Sequence, residues 1–585
     1  MPNIYIYIYC IIWLLLLGLQ NLGFWEFLRR KTDTQAVFLP GATAVIQISL
    51  LFFAGILNLL PQVTALLWVF GIGAFFYCWW KDKSLAFLRN YISFPYLYLF
   101  LFSIIFLVFL HGKKLVQYDN FSHWGLIVKA LLLKNRFPNF LDENYVMFQE
   151  YPLGSAVYLY YCMHFSGTPS SEWKMMFCQA YLYLAFLMPI FRSEKKNSGL
   201  VFLLAVLFTN FALVFFGPIA DLLVDRLLAL AGMCMLCYVA EHCGAGKLSV
   251  STYLITTAFL VANLQIKNSS VFFVIITCVL ILWAGREDRQ WAERISLIGI
   301  AILAYLLWNQ HCKLVYSAPE LSKHAMNFSN YAVEASEKSL GEMLAITKEL
   351  VYFIVKSKDT WSVAISALLV GVFVACLNKK QLPTYCKQLL FVLVCFLAYI
   401  LGMLGMYVFS MPSGEAIVLA GVGRYYGSAI LAVLYWECYC CSSILSRIDW
   451  GRKEYIALSV AILLFFPVMQ YTCNYPGTFL TRTTPEYDYA NRAPVDEALA
   501  TVGEDYAQYD YTVICANRMD YYGYMMRYLC PESSIRFISS EKPIDEQGID
   551  TYYCIVLDWD SDYVRQWVQE GKYVRVGDWL MERAE

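Results

Sequence analysis

Tyr118-Asp119-Asn120-Phe121-Ser122-His123-Trp124-Gly125 opens, and Gln149-Glu150-Tyr151-Pro152-Leu153-Gly154 closes, the first long polar interruption in a succession of apolar runs. Residues 93–111, just before it, are apolar, and earlier runs lie at 4–27, 36–60 and 63–80. Each is long enough to cross a hydrocarbon core of ~30 Å at about 1.5 Å per helical residue. The interruption, dense in acids and aromatics, therefore lies at a membrane surface. Which surface follows from the charges elsewhere in the chain.

The whole sequence agrees with that reading. Its 585 residues are 59% hydrophobic and only 15% charged, with a mean hydropathy of +0.52, far more apolar than a soluble protein of this size. The chain reads as a polytopic α-helical membrane protein. A formal net charge of -1 gives no basic surface for releasing the counterions of a nucleic acid, so that class is set aside. Most of the 19 cysteines are scattered through apolar runs, as expected of small buried hydrophobes. Cys473, Cys515, Cys530 and Cys554 follow the last apolar run, where one or two disulfides would form if that tail is extracytoplasmic.

The run 4–27 lacks a basic leader and a small-residue cleavage site and is followed by Arg29-Arg30-Lys31, so it reads as a retained span ending in the cytoplasm. Lys81, Lys83 and Arg89 mark the loop after the third run as cytoplasmic, and alternation puts Asp119 outside. Residues 152–165 are apolar but short for a span. Left outside, along the membrane surface, they let the later charges obey the positive-inside rule. Spans at 173–191, 198–216, 222–241, 249–266, 269–285 and 295–310 then put Arg192/Lys195/Lys196, Lys247 and Arg286/Arg289/Arg294 inside. Residues 311–360 form a long outer loop, helical and amphipathic from Ser336 onward. Four more spans, 361–377, 387–409, 424–446 and 454–472, give a total of fourteen with both termini outside. From Asn474 the composition turns polar and Tyr-rich. Strand-like runs at 511–515, 535–538, 553–557 and 573–576, with helical pieces near 520–529 and 561–570, predict a small α/β domain.

Ionisable groups at the edge of spans are costly, ~2.5 to 3.5 kcal/mol at the bilayer centre, so each is a functional candidate. On the outer side these are Asp119, His123, Glu150, Asp221, Asp225 with Arg226, Lys267 and Arg424 in Gly423-Arg424-Tyr425-Tyr426. His123, one turn after Asp119, would pair with its carboxylate or pack beside it; Asp225 and Arg226 would form a local ion pair or serve a site; Lys267 lies between two apolar runs with no loop to carry it into water. A carboxylate joined by Lys and Arg at a membrane surface suits group transfer from a lipid phosphate. The acid takes the proton of an acceptor hydroxyl while the cations hold the departing phosphate.

The arrangement resembles the GT-C superfamily of integral-membrane glycosyltransferases, which use polyprenyl-phosphate-linked sugars. Tyr118-Asp119-Asn120 stands where the family's first acidic motif would, Tyr151-Pro152-Leu153-Gly154 looks like its proline motif, and Asp221 to Asp225 stands where its second acid would. The resemblance implies a GT-C-like module over 93–310 with its first outer loop at 112–172, preceded by additional spans in 1–92 and followed by variable helices in 311–472 and an extracytoplasmic α/β domain in 473–585. It implies a catalytic role for Asp119 and substrate binding by Asp221, Asp225, Lys267, Arg424 and Tyr425, while His123 and Glu150, in the same outer loop, are further catalytic candidates read from the residues themselves. Asn120 stands where the family often has a second acid, which leaves a divalent metal open. The implied activity is inverting transfer of a sugar from a polyprenyl phosphate to a glycan, lipid or protein acceptor on the extracytoplasmic face of a bacterial plasma membrane. A transporter or flippase of lipid-linked saccharide, or a surface-polysaccharide polymerase or ligase, is the alternative.

Overall fold

In hydrocarbon a backbone has only itself to hydrogen-bond with, so apolar runs fold as helices. A computed structural model describes residues 2–584 of the chain apart from 143–145, 147, 169–170, 193–197, 245, 287–290, 318–327, 378, 448–449, 485, 517–518, 545–547 and 570. The first part comprises α1 (Pro2–Lys31), α2 (Leu39–Ile56), α3 (Leu60–Asp82), α4 (Phe94–Leu110), α5 (Gly125–Lys134), α6 (Gly154–Met163) and α7 (Glu172–Leu187). There follow α8 (Ser198–Val214), α9 (Asp225–His242), α10 (Val250–Leu264), α11 (Val271–Gly285) and α12 (Trp291–Val315). Next are α13 (Phe328–Ser336), α14 (Leu340–Lys356), α15 (Lys358–Leu377), α16 (Leu382–Phe409), α17 (Ser413–Ile417), α18 (Val422–Leu445) and α19 (Arg452–Thr472).

Each of the fourteen apolar stretches holds a helix. Among the described residues ten helices are long and apolar enough to cross a membrane: α1, α2, α3, α7, α11, α12, α15, α16, α18 and α19, some extended by short 3₁₀ turns. The apolar helices α4, α8 and α10 are shorter, and α9 begins with Asp225-Arg226 and ends with Glu241-His242. Leu390, Val394, Leu397 and Leu401 form an exposed stripe along one face of α16, as suits a helix facing lipid.

The helices alternate between two ends. At one, Arg30 of α1 pairs with Asp82 of α3, the Gln35 N–H meets His242 at the end of α9, and Arg192 pairs with Glu241. Arg294 belongs there too, donating to the carbonyls of Cys243, Gly244 and Gly246 beyond α9. Arg30, Arg192 and Arg294, all assigned to the cytoplasm, thus share one end; Lys195, Lys196 and Arg289 lie outside the described residues.

Helix α6 departs from expectation. It is short, but it is enclosed by protein: all ten of its residues are buried, packed against α2, α5 and α7. Its all-round apolar sequence, with no polar face, is the reason. The loop after α12 contains α13 and α14, the latter opened by a capping box in which Ser339 and Glu342 satisfy each other's backbone N–H groups.

The tail holds α20 (Glu486–Val502), β1 (Tyr511–Cys515), α21 (Met519–Leu529), β2 (Ile535–Ser539), β3 (Tyr553–Val556), α22 (Asp562–Gln569), β4 (Tyr573–Arg575) and β5 (Leu580–Arg583). The five-stranded sheet has the order β2-β1-β3-β5-β4, with β1 parallel to β2 and β3 and the other pairs antiparallel. Every residue of β1, the central parallel strand, is buried. All four expected strands and both helical pieces are present; α20 and β5 were not anticipated. Cys473, Cys515, Cys530 and Cys554 are all buried with free thiols, so the disulfides allowed for this tail are not formed.

Candidate active site at the helix ends

The site is built where helices begin. Asp225 is the first residue of α9, Lys267 precedes the 3₁₀ turn that leads into α11, and Arg424 lies in the first turn of α18. Three helix N-termini, each with unpaired N–H groups and partial positive charge, therefore start within or beside this group of side chains. Gly421, at φ 72°, makes the left-handed turn into α18.

Residues distant in sequence meet here. Arg424 donates to Asp119, 305 positions away, and Lys267 Nζ donates to Asp225 Oδ1 at 2.6 Å. The Lys267 ammonium also stands 4.9 Å over the Tyr425 ring. Asp225 and Arg424 lie within electrostatic reach of each other, which joins the two pairs into one cluster. Asp225 and Arg226, adjacent in sequence, do not pair. Arg226 turns to the carbonyls of Ala212, Leu213 and Gly217, capping the end of α8, because consecutive helical residues point in different directions. Its role is structural.

Asp221 is buried beside this cluster, and its Oδ1 accepts the Leu223 N–H at 3.0 Å. Burial pushes its carboxyl up to about 7 against the lowering influence of Arg226. Asn120 Oδ1 accepts the Leu222 N–H at 3.0 Å, tying the loop of Asp119 to the turn that holds Asp221, while its Nδ2 is buried without a protein partner. Gly154 fixes the third segment: its N–H donates to the Gln265 carbonyl, where a Cβ would stand 2.5 Å from the oxygen. A side chain at 154 would push apart the Tyr151–Gly154 motif and the turn carrying Lys267.

Two candidates do not join the charges. His123 lies in a π-helical turn (Asn120–Trp124), buried against the rings of Trp124, Phe148 and Tyr151. Its Nδ1 has no hydrogen-bond partner among the described residues, burial pushes its pKa down to about 3, and no hydrogen bond joins it to Asp119. Glu150 is half-buried beside α12: its carbonyl accepts from Trp308 Nε1 at 3.1 Å, and its carboxylate lies within reach of Cys312 and Tyr331. Tyr151, by contrast, places its phenol near Asp119, Asp225, Arg424 and Tyr425. Tyr399 donates to the Tyr425 carbonyl at 2.9 Å. Tyr151 stood out in the sequence only as part of the Tyr151–Gly154 motif, and Tyr399 was not distinguishable from the many other tyrosines.

Below the charges an apolar groove of about 530 Å³ runs between α9, α11, α16 and α18. Phe272 and Tyr399 close it beside the site, and Arg192, Gln388 and Arg447 line its far end. The cluster itself can hold an anion: two cations and three helix N-termini face carboxylates that a ligand phosphate could replace. No three His, Cys, Asp or Glu side chains gather at metal-ligand spacing among the described residues. Compared with known proteins, the chain is matched by no family model, and neither a curated protein nor a solved structure is similar to it at a significant level.

Proposed function

We propose that the chain is a GT-C-like membrane glycosyltransferase with fourteen spans, its site facing the extracytoplasmic side of the plasma membrane. It moves a sugar from a polyprenyl phosphate to a cell-surface glycan, lipid or protein. The observation that supports this most is the joining of Asp119–Arg424 to Asp225–Lys267 across four separate segments, next to an apolar groove.

In this reading the donor's prenyl chain lies in the groove and its phosphate takes Arg424 and Lys267 from their carboxylates. Arg424 offers a planar fork and Lys267 a point charge, and the N-termini of α9, α11 and α18 add to the same field. Freed from Arg424, the Asp119 carboxylate accepts the proton of an acceptor hydroxyl as its oxygen attacks the anomeric carbon. The bond from that carbon to the phosphate oxygen breaks on the opposite face, which inverts the configuration. The leaving phosphate keeps the bonding electrons, and the two cations stabilise them.

The test is purified protein in lipid bilayers supplied with a panel of polyprenyl-phosphate sugars and surface-glycan acceptors. Transfer from at least one donor is expected; no product from any of them contradicts the reading. Reporter fusions at residues 140 and 480 should both report outside, and a cytoplasmic signal at 140 removes the proposed topology. A flippase of lipid-linked saccharide is favoured by one observation, that the groove continues to Arg192 and Arg447. Movement of labelled lipid across the bilayer without any product would select it.

A further inference from the structure

The segment leading to Asp119 has no secondary structure of its own, so its backbone groups must find partners elsewhere. The Leu115 N–H donates to Glu172 Oε2 at 2.8 Å, in the first turn of α7. The Leu115 carbonyl accepts from Arg492 of α20, and the Val116 carbonyl accepts from the Tyr521 hydroxyl of α21 at 2.8 Å. Arg492 in turn grips Glu172 through both Nη atoms, at 2.8 and 3.0 Å, and Asp496 through Nε at 3.1 Å. Just beyond Asp119, the ring of Phe121 packs on Tyr521 and Tyr528, and the Tyr118 ring packs edge-on to Tyr524.

A second anchor follows one helix later. Lys129 of α5 is buried and donates to the carbonyls of Tyr528 and Leu529, at 2.7 and 2.9 Å. These are the last carbonyls of α21, which a helix leaves unpaired and which favour a cation. Residues 115, 116, 121 and 129 are thus held from one side by α20 and α21, and Asp119 is suspended between the fixed points.

We infer that the carboxyl-terminal domain is a positioning element for the Asp119 loop, with Arg492 and Tyr521 as its positioning residues. The inference rests on the reading that Asp119 acts on the acceptor. Both residues act through the backbone at Leu115 and Val116. They set the distance between the carboxylate and the acceptor oxygen but bind no donor. Misplacement of a reacting group by about 1 Å lowers a rate by on the order of 100-fold, so losing one tether is felt in kcat.

The experiment uses the full-length protein with Tyr521→Phe, which removes one hydroxyl, and Arg492→Lys, which keeps the charge but loses the fork. Tyr521→Phe is expected to lower kcat by about tenfold, with donor KM and melting temperature unchanged, and Arg492→Lys by more. Amide hydrogen exchange in the peptide spanning 115–121 is expected to rise in both. Wild-type kcat together with wild-type exchange in Tyr521→Phe and Arg492→Lys overturns the inference. So does a fall in kcat that only follows a fall in melting temperature. If instead exchange rises but the wild-type protein transfers no sugar from any donor, the tether stands and the glycosyltransferase reading fails.

Discussion

Two ion pairs, Arg424–Asp119 and Arg492–Glu172, join residues 305 and 320 positions apart, with opposite surroundings. The side chains of Arg424 and Asp119 are 40% and 34% exposed, whereas those of Arg492 and Glu172 are 5% and 10% exposed. Arg492 spends four of its five N–H groups on protein acceptors, through Nε, Nη1 and Nη2. Arg424 meets Asp119 through one of its five N–H groups and remains open to solvent. A sealed pair holds segments together; an open pair can exchange its partner for a phosphate. A buried charge is therefore not by itself a mark of a site, and the buried guanidiniums of Arg226 and Arg294, spent on backbone carbonyls, make the same point.

The contrast predicts different losses. Arg492→Met leaves Glu172 buried without its cation and should destabilise the protein by roughly 3 to 5 kcal/mol, read as a lower melting temperature in detergent. Arg424→Gln should leave the melting temperature near wild type and weaken donor binding by about 10- to 100-fold, as loss of a charged hydrogen bond does. A large melting shift from Arg424→Gln, with donor affinity intact, would reverse the two assignments.

Lys267–Asp225 is nearly as enclosed as Arg492–Glu172, with side chains 13% and 4% exposed, yet it stands in the candidate site. Lys267→Met should destabilise the protein and abolish transfer. Adding Asp225→Asn should restore most of the stability, because no unpaired charge remains, but not the transfer. Restoration of both would reduce the pair to a structural bridge.

Smaller effects follow from the buried groups around the site. The Asp221 carboxyl, raised to about 7 from an ordinary 3.8, holds in the folded protein a proton that the unfolded chain gives up at lower pH. Stability on this account is full below pH 3.8 and falls as pH rises toward 7. Asp221→Asn should therefore gain melting temperature over wild type at pH 8 and little at pH 4. His123 behaves in the opposite sense: its pKa is lowered to about 3 from 6.5, so stability is full above pH 6.5 and lost as pH falls toward 3. His123→Phe should blunt that acid sensitivity and leave kcat near wild type, whereas a catalytic histidine would not tolerate it.

Much of the helical frame was legible because period and length report directly on hydrocarbon, and the tail's strands because β-branched and aromatic runs stood between polar turns. The returning charges were legible for the same reason, since Lys267 has no loop to carry it into water. The pairing was not. Neighbours in sequence suggested Asp225 with Arg226 and Asp119 with His123, but consecutive helical side chains such as Asp225 and Arg226 point apart, His123 sits in a π-helical turn against aromatic rings, and the partners came from Lys267 and Arg424. The burial of α6 also escaped, because a short apolar helix reads alike whether lipid or protein surrounds it. Arg492 and Glu172 gave no signal, being ordinary charges in polar stretches until the fold brings them together, and Lys129, a single cation in an apolar helix, was not singled out.

The most direct measurement is steady-state transfer by Asp119→Asn beside wild type in the same bilayers. Loss of the carboxylate removes the proton acceptor while releasing Arg424 for the donor phosphate, so kcat should fall by about 100-fold or more with donor KM unchanged or lower. Wild-type kcat in Asp119→Asn, or a loss expressed only as a higher donor KM, would contradict the assignment of Asp119 as the base.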